Sequence, residues 1–338
     1  MIEFYRQSLQ PEFSVLKVST GNFYHQMGNY YLLRERKRLT PVNRSYVIDV
    51  NGNRRCEWET KAYHKNPLIH ERVTKKNQLI NPETLVNIYG KPYLYIADND
   101  CVWFSSTEIG DKRISAYARE ILDESREGLE RLSVSYMIGI YGSHRIGLNS
   151  IGSDIDLALW TVWENRGDVI KTVTESLRNR EFLTSGEQGK DIEYAARYAK
   201  RFGVSNLAGW YLAKKRIRFI DSHGLSVSLQ CLNTELNNEQ ISSFFRSIDE
   251  EWVAEEIDTQ CEVVSSKTSY NFPKVWNLQI GGDILSAVSL SWMHQGMGDD
   301  NGEFGNRYRL RASLVHTEEG EFIYLRDHSH FIIPANLL

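Results

Sequence analysis

No segment of this 338-residue chain approaches the roughly 20 uninterrupted apolar residues that a bilayer-spanning helix needs. The opening residues, Met1-Ile2-Glu3-Phe4-Tyr5-Arg6, lack the basic-then-apolar order of a secretory leader. The 4 cysteines, Cys56, Cys101, Cys231 and Cys261, stand far apart with no Cys-x-x-Cys pair. That spacing argues against a thiolate metal site or a disulfide framework and reads as reduced core thiols. There is no basic excess either. With 40 Lys and Arg against 44 Asp and Glu, the net charge of −4 gives no global drive toward nucleic acid. A local basic face stays open, because partner electrostatics follow the distribution of charge. Repeats and low-complexity tracts are also missing. These absences leave the expectation of a cytoplasmic, soluble protein with no membrane partner.

What is present is ordinary globular composition, 41% hydrophobic and 25% charged. The chain exceeds the roughly 250–300 residues at which single cores stop growing, so two or three domains are expected. Residues 1–110 read as a small mixed or β-rich domain. There, Tyr46–Val50 runs into the hairpin signal Asn51-Gly52-Asn53, and Tyr93–Ala97 and Val102–Phe104 look like further strands. Residues 111–235 alternate elements. Apolar residues at helical spacing predict an amphipathic helix over 113–132. Strands follow at Tyr136–Tyr141 and Asp154–Trp160, then helices at Val169–Leu177, Tyr194–Phe202 and Asn206–Lys214. Two strands, Arg216–Ile220 and Leu225–Cys231, flank the turn-prone Asp221-Ser222-His223-Gly224. Residues 236–338 open with a helix over Asn238–Glu256. Strands are expected at Cys261–Ser265, Lys274–Ile280, Ala287–Trp292, Tyr308–Leu314, Phe322–Leu325 and Phe331–Ile333, forming a small barrel or sandwich. The fold class is therefore α+β: a central mixed sheet with helices between two β-rich regions.

The chemistry concentrates in residues 138–160. A buried strand runs into Gly142-Ser143, a polar connection follows, and the next strand opens on Asp154-Ile155-Asp156. Gly142 lets the backbone turn tightly and approach a ligand. A helix start after it would offer free N–H groups to phosphate. Two residues apart on a strand, Asp154 and Asp156 leave the same face, with Ile155, Leu157 and Leu159 on the other. Paired carboxylates repel unless a cation joins them, and hard oxygen ligands suit Mg²⁺. Asp-x-Asp by itself is common on solvated strands.

Gly142-Ser143, a spacer of about ten residues and Ser153-Asp154-Ile155-Asp156-Leu157 together resemble the signature of the polymerase-β-like nucleotidyltransferase superfamily. The resemblance is tight over about 140–160. It implies that Gly142 and Ser143 hold a nucleoside triphosphate while Asp154 and Asp156 bind Mg²⁺ or Mn²⁺. The whole layout also looks like that of predicted archaeal nucleotidyltransferases, with a stretch such as Tyr198–Ser205. The superfamily often adds a third carboxylate from a neighbouring strand, which helps bind the catalytic metal and activate the acceptor hydroxyl. Here that strand reads Leu225-Ser226-Val227-Ser228-Leu229, and Ser228 stands where the acid should be. Asp221 is the nearest substitute, although its turn context favours a capping or Asx-turn role, and Asp191 is a distant second.

Other candidates have bland and functional readings side by side. Arg145 can contact phosphate or be an ordinary exposed arginine, and Ser153 can support the aspartates or simply turn the chain. His144 reads as structural, because phosphoryl transfer needs positioned charge more than a histidine base. Lys200, Arg201, Lys214, Lys215, Arg216 and Arg218 suit phosphates, a nucleic-acid backbone or a solvated face. Arg307, Arg309 and Arg311 alternate on one strand face, a polynucleotide groove or a polar exterior. The expected activity is transfer of a nucleoside monophosphate from an NTP to an acceptor hydroxyl on RNA, protein or a small molecule, with release of pyrophosphate. A catalytically silent nucleotide-binding module and a nucleic-acid-binding protein acting through residues 257–338 are the rivals.

Overall fold

The computed structural model describes residues 3–6, 14–18, 23–28, 30–48, 54–56, 83–97, 101–108, 114–145, 149, 153–187, 189–235, 238–300, 303–327 and 329–338. Its N-terminal strands are β1 (Glu3–Arg6), β2 (Val15–Val18), β3 (Phe23–Gln26), β4 (Tyr30–Arg34), β5 (Lys37–Ile48), β6 (Arg54–Cys56), β7 (Glu83–Ile88), β8 (Lys91–Ala97) and β9 (Cys101–Phe104). They hydrogen-bond into one sheet built around β5, which pairs with β3, β4, β6 and β8. The expected strands near 46–50, 93–97 and 102–104 fall on β5, β8 and β9. β5 and β6 pair antiparallel with Ile48 opposite Arg54. The Asn51-Gly52-Asn53 turn itself lies outside the described residues.

The central elements are α1 (Ala116–Leu129), β10 (Tyr136–Tyr141), β11 (Ile155–Thr161), α2 (Arg166–Arg178), β12 (Leu183–Thr184), α3 (Asp191–Phe202), α4 (Asn206–Lys214), β13 (Ile217–Ile220) and β14 (Ser226–Asn233). Ser115 caps α1 by accepting the Ala118 N–H. Ala118, Ile121, Leu122, Ser125 and Leu129 form its buried stripe. The sheet order is β10-β11-β14-β13-β12, with β11 parallel to β14 and the other pairs antiparallel. Strand alternation separates its two faces. Ile155, Leu157, Leu159, Val227, Leu229 and Cys231 share a core with the apolar stripes of α1 and α2. On the opposite face, which carries Asp156, the residues Ala158, Trp160 and Leu232 pack against Tyr270.

The remaining elements are α5 (Asn238–Arg246), β15 (Val253–Ser265), β16 (Lys274–Ile280), β17 (Asp283–Ser289), β18 (Arg307–Thr317), β19 (Gly320–Tyr324) and β20 (Phe331–Pro334). Five strands run β15-β16-β17-β19-β18, and β18 pairs back onto β15, closing a barrel that β20 extends. This decides between the expected barrel and sandwich. Ile241, Phe244, Phe245 and Ile248 join the N-terminal core residues Tyr30, Leu32 and Tyr95 to the barrel residues Val288, Val315 and Phe322.

Two boundaries differ from expectation. The helix beginning at Asn238 ends at Arg246 instead of reaching Glu256, and a strand occupies 253–265. Its acids mimic a polar helical face but find cross-strand cations and hydroxyls. Glu256 accepts from Ser313 and Arg326, while Asp258 accepts from Arg309 and Arg311. The strand placed at Ala287–Trp292 is β17, beginning at Asp283 and ending at Ser289. Residues 292–294 form a short 3₁₀ turn there.

Candidate functional site

β10 delivers the chain to Gly142, whose φ of 72° lies in the left-handed region. A Cβ at this position would stand 2.5 Å from Asp156 Oδ2, so the glycine brings the turn directly against a carboxylate. A three-residue 3₁₀ turn, Ser143–Arg145, follows. Ser143 is 5% exposed, and its hydroxyl has no hydrogen-bond partner among the described residues. His144 fixes the geometry between the turn and the aspartates. Its Nδ1 lies 2.8 Å from Ser115 Oγ, and its Nε2 lies 3.1 Å from the Ser153 carbonyl. Because the Ser153 carbonyl can only accept, Nε2 carries the ring proton and donates to it, and in the neutral ring Nδ1 accepts the Ser115 hydroxyl.

Asp154 and Asp156 flank Ile155 at the start of β11 and share one face. In the parallel β11–β14 register Asp156 stands opposite Ser228, and Tyr141 stands opposite Asp156 on the other side. Arg218 on β13 is opposite Ser228. Four adjacent strands thus carry a polar row: Tyr141, Asp156, Ser228, Arg218. Ser228 donates to Asp156 Oδ1 over 2.5 Å, and Ser226 donates to Asp154 Oδ1. Tyr141 hydrogen-bonds Ser228 as well. Burial pushes the Asp156 carboxyl up to about 7, and Asp154 adds to the rise, while the Ser228 hydrogen bond and Arg218 pull against it.

The donor set fits a divalent cation. Two hard carboxylates stand on one face, one exposed and one held against its own ionisation by burial and its neighbour. A shared cation would relieve both costs.

Of the other candidates, Arg145 is fully buried. Its Nε donates to the Ser105 carbonyl at 2.6 Å and its Nη2 reaches Glu108 at 3.1 Å, which ties the turn to the segment after β9. Ser153 contributes its carbonyl to His144. Asp221 Oδ1 accepts the amides of His223 and Leu225 at 2.9 and 2.8 Å, an Asx turn that closes the β13–β14 hairpin. Asp191 opens α3 and accepts from Ser185 Oγ. Lys214 lies over the Trp210 ring, and Lys215 donates to the Asp299 carbonyl. Arg309 and Arg311 share Asp258, so these two of the alternating arginines of β18 sit in an ion-pair network on the barrel exterior.

The sequence reading missed two things. One is the placing of Tyr141 and Arg218 in one row with Asp156 and Ser228, which depends on strand pairing and register. The other is a second cluster, Glu256, Asp327 and His330, whose ligand atoms lie within 4.8 Å of one another. Its groups are already engaged. His330 Nδ1 accepts the Arg326 amide and its Nε2 meets Glu256 at 2.8 Å. Lys91 and Arg326 pair with Asp327. No short motif announces that cluster.

No protein-family profile, characterised protein or solved structure gives a significant match to this chain.

Proposed function

We propose that the chain is a metal-dependent nucleotidyltransferase that moves a nucleoside monophosphate from an NTP to an acceptor hydroxyl and releases pyrophosphate. One observation carries the reading. The Gly142 turn abuts the Asp156 carboxylate so closely that no side chain fits between them, with Asp154 on the same face. Phosphate-binding backbone and metal-binding carboxylates are thereby contiguous, as transfer from a polyphosphate requires.

Asp154 and Asp156 are the residues that would hold Mg²⁺ or Mn²⁺. Such an ion, when bound, neutralises charge on the phosphates. Gly142 and Ser143 would take the triphosphate, and Ser143 has a buried hydroxyl to offer it. His144 and Arg145 act behind this site, holding the turn to Ser153 and to the Ser105–Glu108 segment. Catalysis here rests on positioning and charge neutralisation.

A second reading has its own support: a nucleotide-binding module without transfer. Ser228 occupies the register position beside Asp156 where a third carboxylate would activate the acceptor, and it spends its proton on Asp156. Incubation with Mg²⁺ or Mn²⁺ and α-labelled NTPs separates the two. Label moving to RNA, protein or a small molecule, lost in Asp156→Asn, supports the transferase. Nucleotide binding without pyrophosphate release supports the module.

A further inference from the structure

The polar row of the central sheet continues past Ser228 into a group of arginines. Arg218 points from β13 to the same face as Asp156, being in register with Ser228, and Arg216 stands just before the strand begins. Above them runs α3, whose residues Tyr194, Tyr198 and Arg201 recur at intervals of four and three and so share one helical face. The helix and the strand meet through these side chains. Arg218 Nη1 donates to Tyr194 Oη at 3.0 Å with its guanidinium 5.0 Å from that ring, and Arg216 lies 5.9 Å from the Tyr198 ring. Tyr198 is itself stacked on the buried Phe202. The arginines are therefore held in place by packed aromatics.

Among the described residues, neither Arg216 nor Arg218 makes an ion pair with a carboxylate, although both are partly buried; Arg218 feels Asp154 and Asp156 only at longer range. Burial draws the Arg201 guanidinium below its ordinary value and Arg216 adds to this, with Tyr198 acting the other way. Cations gathered in a half-buried setting are costly unless an anion joins them.

Strand order fixes which anion. The Gly142 turn lies on β10, to one side of Asp156. Arg218 lies on β13, two strands away on the other side, its backbone about 10 Å from that of Asp156 at the usual strand spacing, and Arg216 leads into the same strand. A triphosphate seated on the turn and the aspartates leaves them unengaged. We infer that Arg201, Arg216 and Arg218 form an anion site for a phosphate group of a second ligand, so that the acceptor is a phosphorylated molecule, a nucleotide or a polynucleotide. This rests on the transferase reading for the word acceptor, though not for the anion site.

The test titrates the full chain with adenosine, AMP and a labelled single-stranded hexaribonucleotide. Each is run in Mg²⁺, with and without the α,β-methylene analogues of the four NTPs. The expected result is binding of AMP, the hexanucleotide or both, with adenosine weaker. Arg216→Gln and Arg218→Gln should each weaken it by about tenfold or more, and Arg218→Lys should keep most of it. The NTP analogues should keep their affinity within about twofold in Arg216→Gln; Arg218 also favours the ionised form of Asp156, so its variants are read on the phosphate probes alone. AMP alone identifies a small nucleotide, and the hexanucleotide alone identifies a polynucleotide.

The inference is overturned if the wild-type chain binds neither probe, or if the glutamine variants bind them unchanged. It is also overturned if NTP-analogue affinity falls in parallel in Arg216→Gln, which would give the arginines to the donor. Should the glutamine variants fail to fold, the wild-type salt dependence decides: binding indifferent to salt sinks the phosphate contact. If no NTP analogue binds while arginine-dependent probe binding persists, the transferase reading fails and the anion site stands.

Discussion

Ser228 donates its hydroxyl to Asp156 Oδ1 over 2.5 Å from the position directly opposite in the parallel β11–β14 pair. The contact defines the character of the site. A carboxylate at 228 would face Asp156 as a like charge needing a second cation, whereas the serine stabilises the ionised form of Asp156 with a neutral donor.

Removing that donor should make Asp156 harder to ionise, since the Ser228 hydrogen bond lowers its pKa. In Ser228→Ala, Mn²⁺ affinity near neutral pH should fall about three- to tenfold, the worth of one charge-assisted hydrogen bond, and recover at about pH 8.5. Titration of Mn²⁺ binding at both pH values checks this. A loss independent of pH would place the effect elsewhere.

Gly142→Ala should cost about 1–3 kcal/mol from the left-handed backbone and the collision with Asp156 Oδ2. It should also abolish measurable metal-dependent NTP binding. Denaturant unfolding and NTP-analogue titration read the two effects. Unchanged nucleotide affinity would separate the turn from the ligand.

The pH dependence of stability has a defined sign. An Asp156 pKa of about 7, against an ordinary 3.8, means the folded chain holds a proton that the unfolded chain has released between those values. Stability from this group is therefore fully present below the ordinary value and is lost as pH rises toward 7. In Asp156→Asn that component of the slope should vanish. Added Mg²⁺ should raise the melting temperature more at pH 8 than at pH 5. Equal stabilisation at both would argue against a cation on this carboxylate.

Arg145→Ala should destabilise the fold by about 2–4 kcal/mol, because it removes the shorter of the two hydrogen bonds to the Ser105 carbonyl and empties a fully buried site. NTP-analogue affinity, measured where the variant is still folded, should change less than about twofold. A larger drop would return Arg145 to phosphate contact.

Local pattern was legible where the periodicity was strong. The runs 136–141 and 154–160 read as buried strands because their apolar residues are nearly continuous, and they became β10 and β11. Asp154 and Asp156 share a face for the same geometric reason. The segment 247–256 misled because Glu250, Glu251, Glu255 and Glu256 look like a helix exterior. The cations and hydroxyls that make 253–265 a strand come from β18 and the residues beyond it, some 50 to 70 positions later.

By itself the sequence determined the Gly142-Ser143 turn, the paired carboxylates and most of the central strands and helices, since these depend on neighbours within a few residues. Only the tertiary structure decided what stands beside Asp156. The pairing of β11 with β14, and of β14 with β13, brings Ser228 and Arg218 into its row from more than sixty residues away. Side-chain chemistry at that distance along the chain is fixed by strand register, which no local pattern encodes.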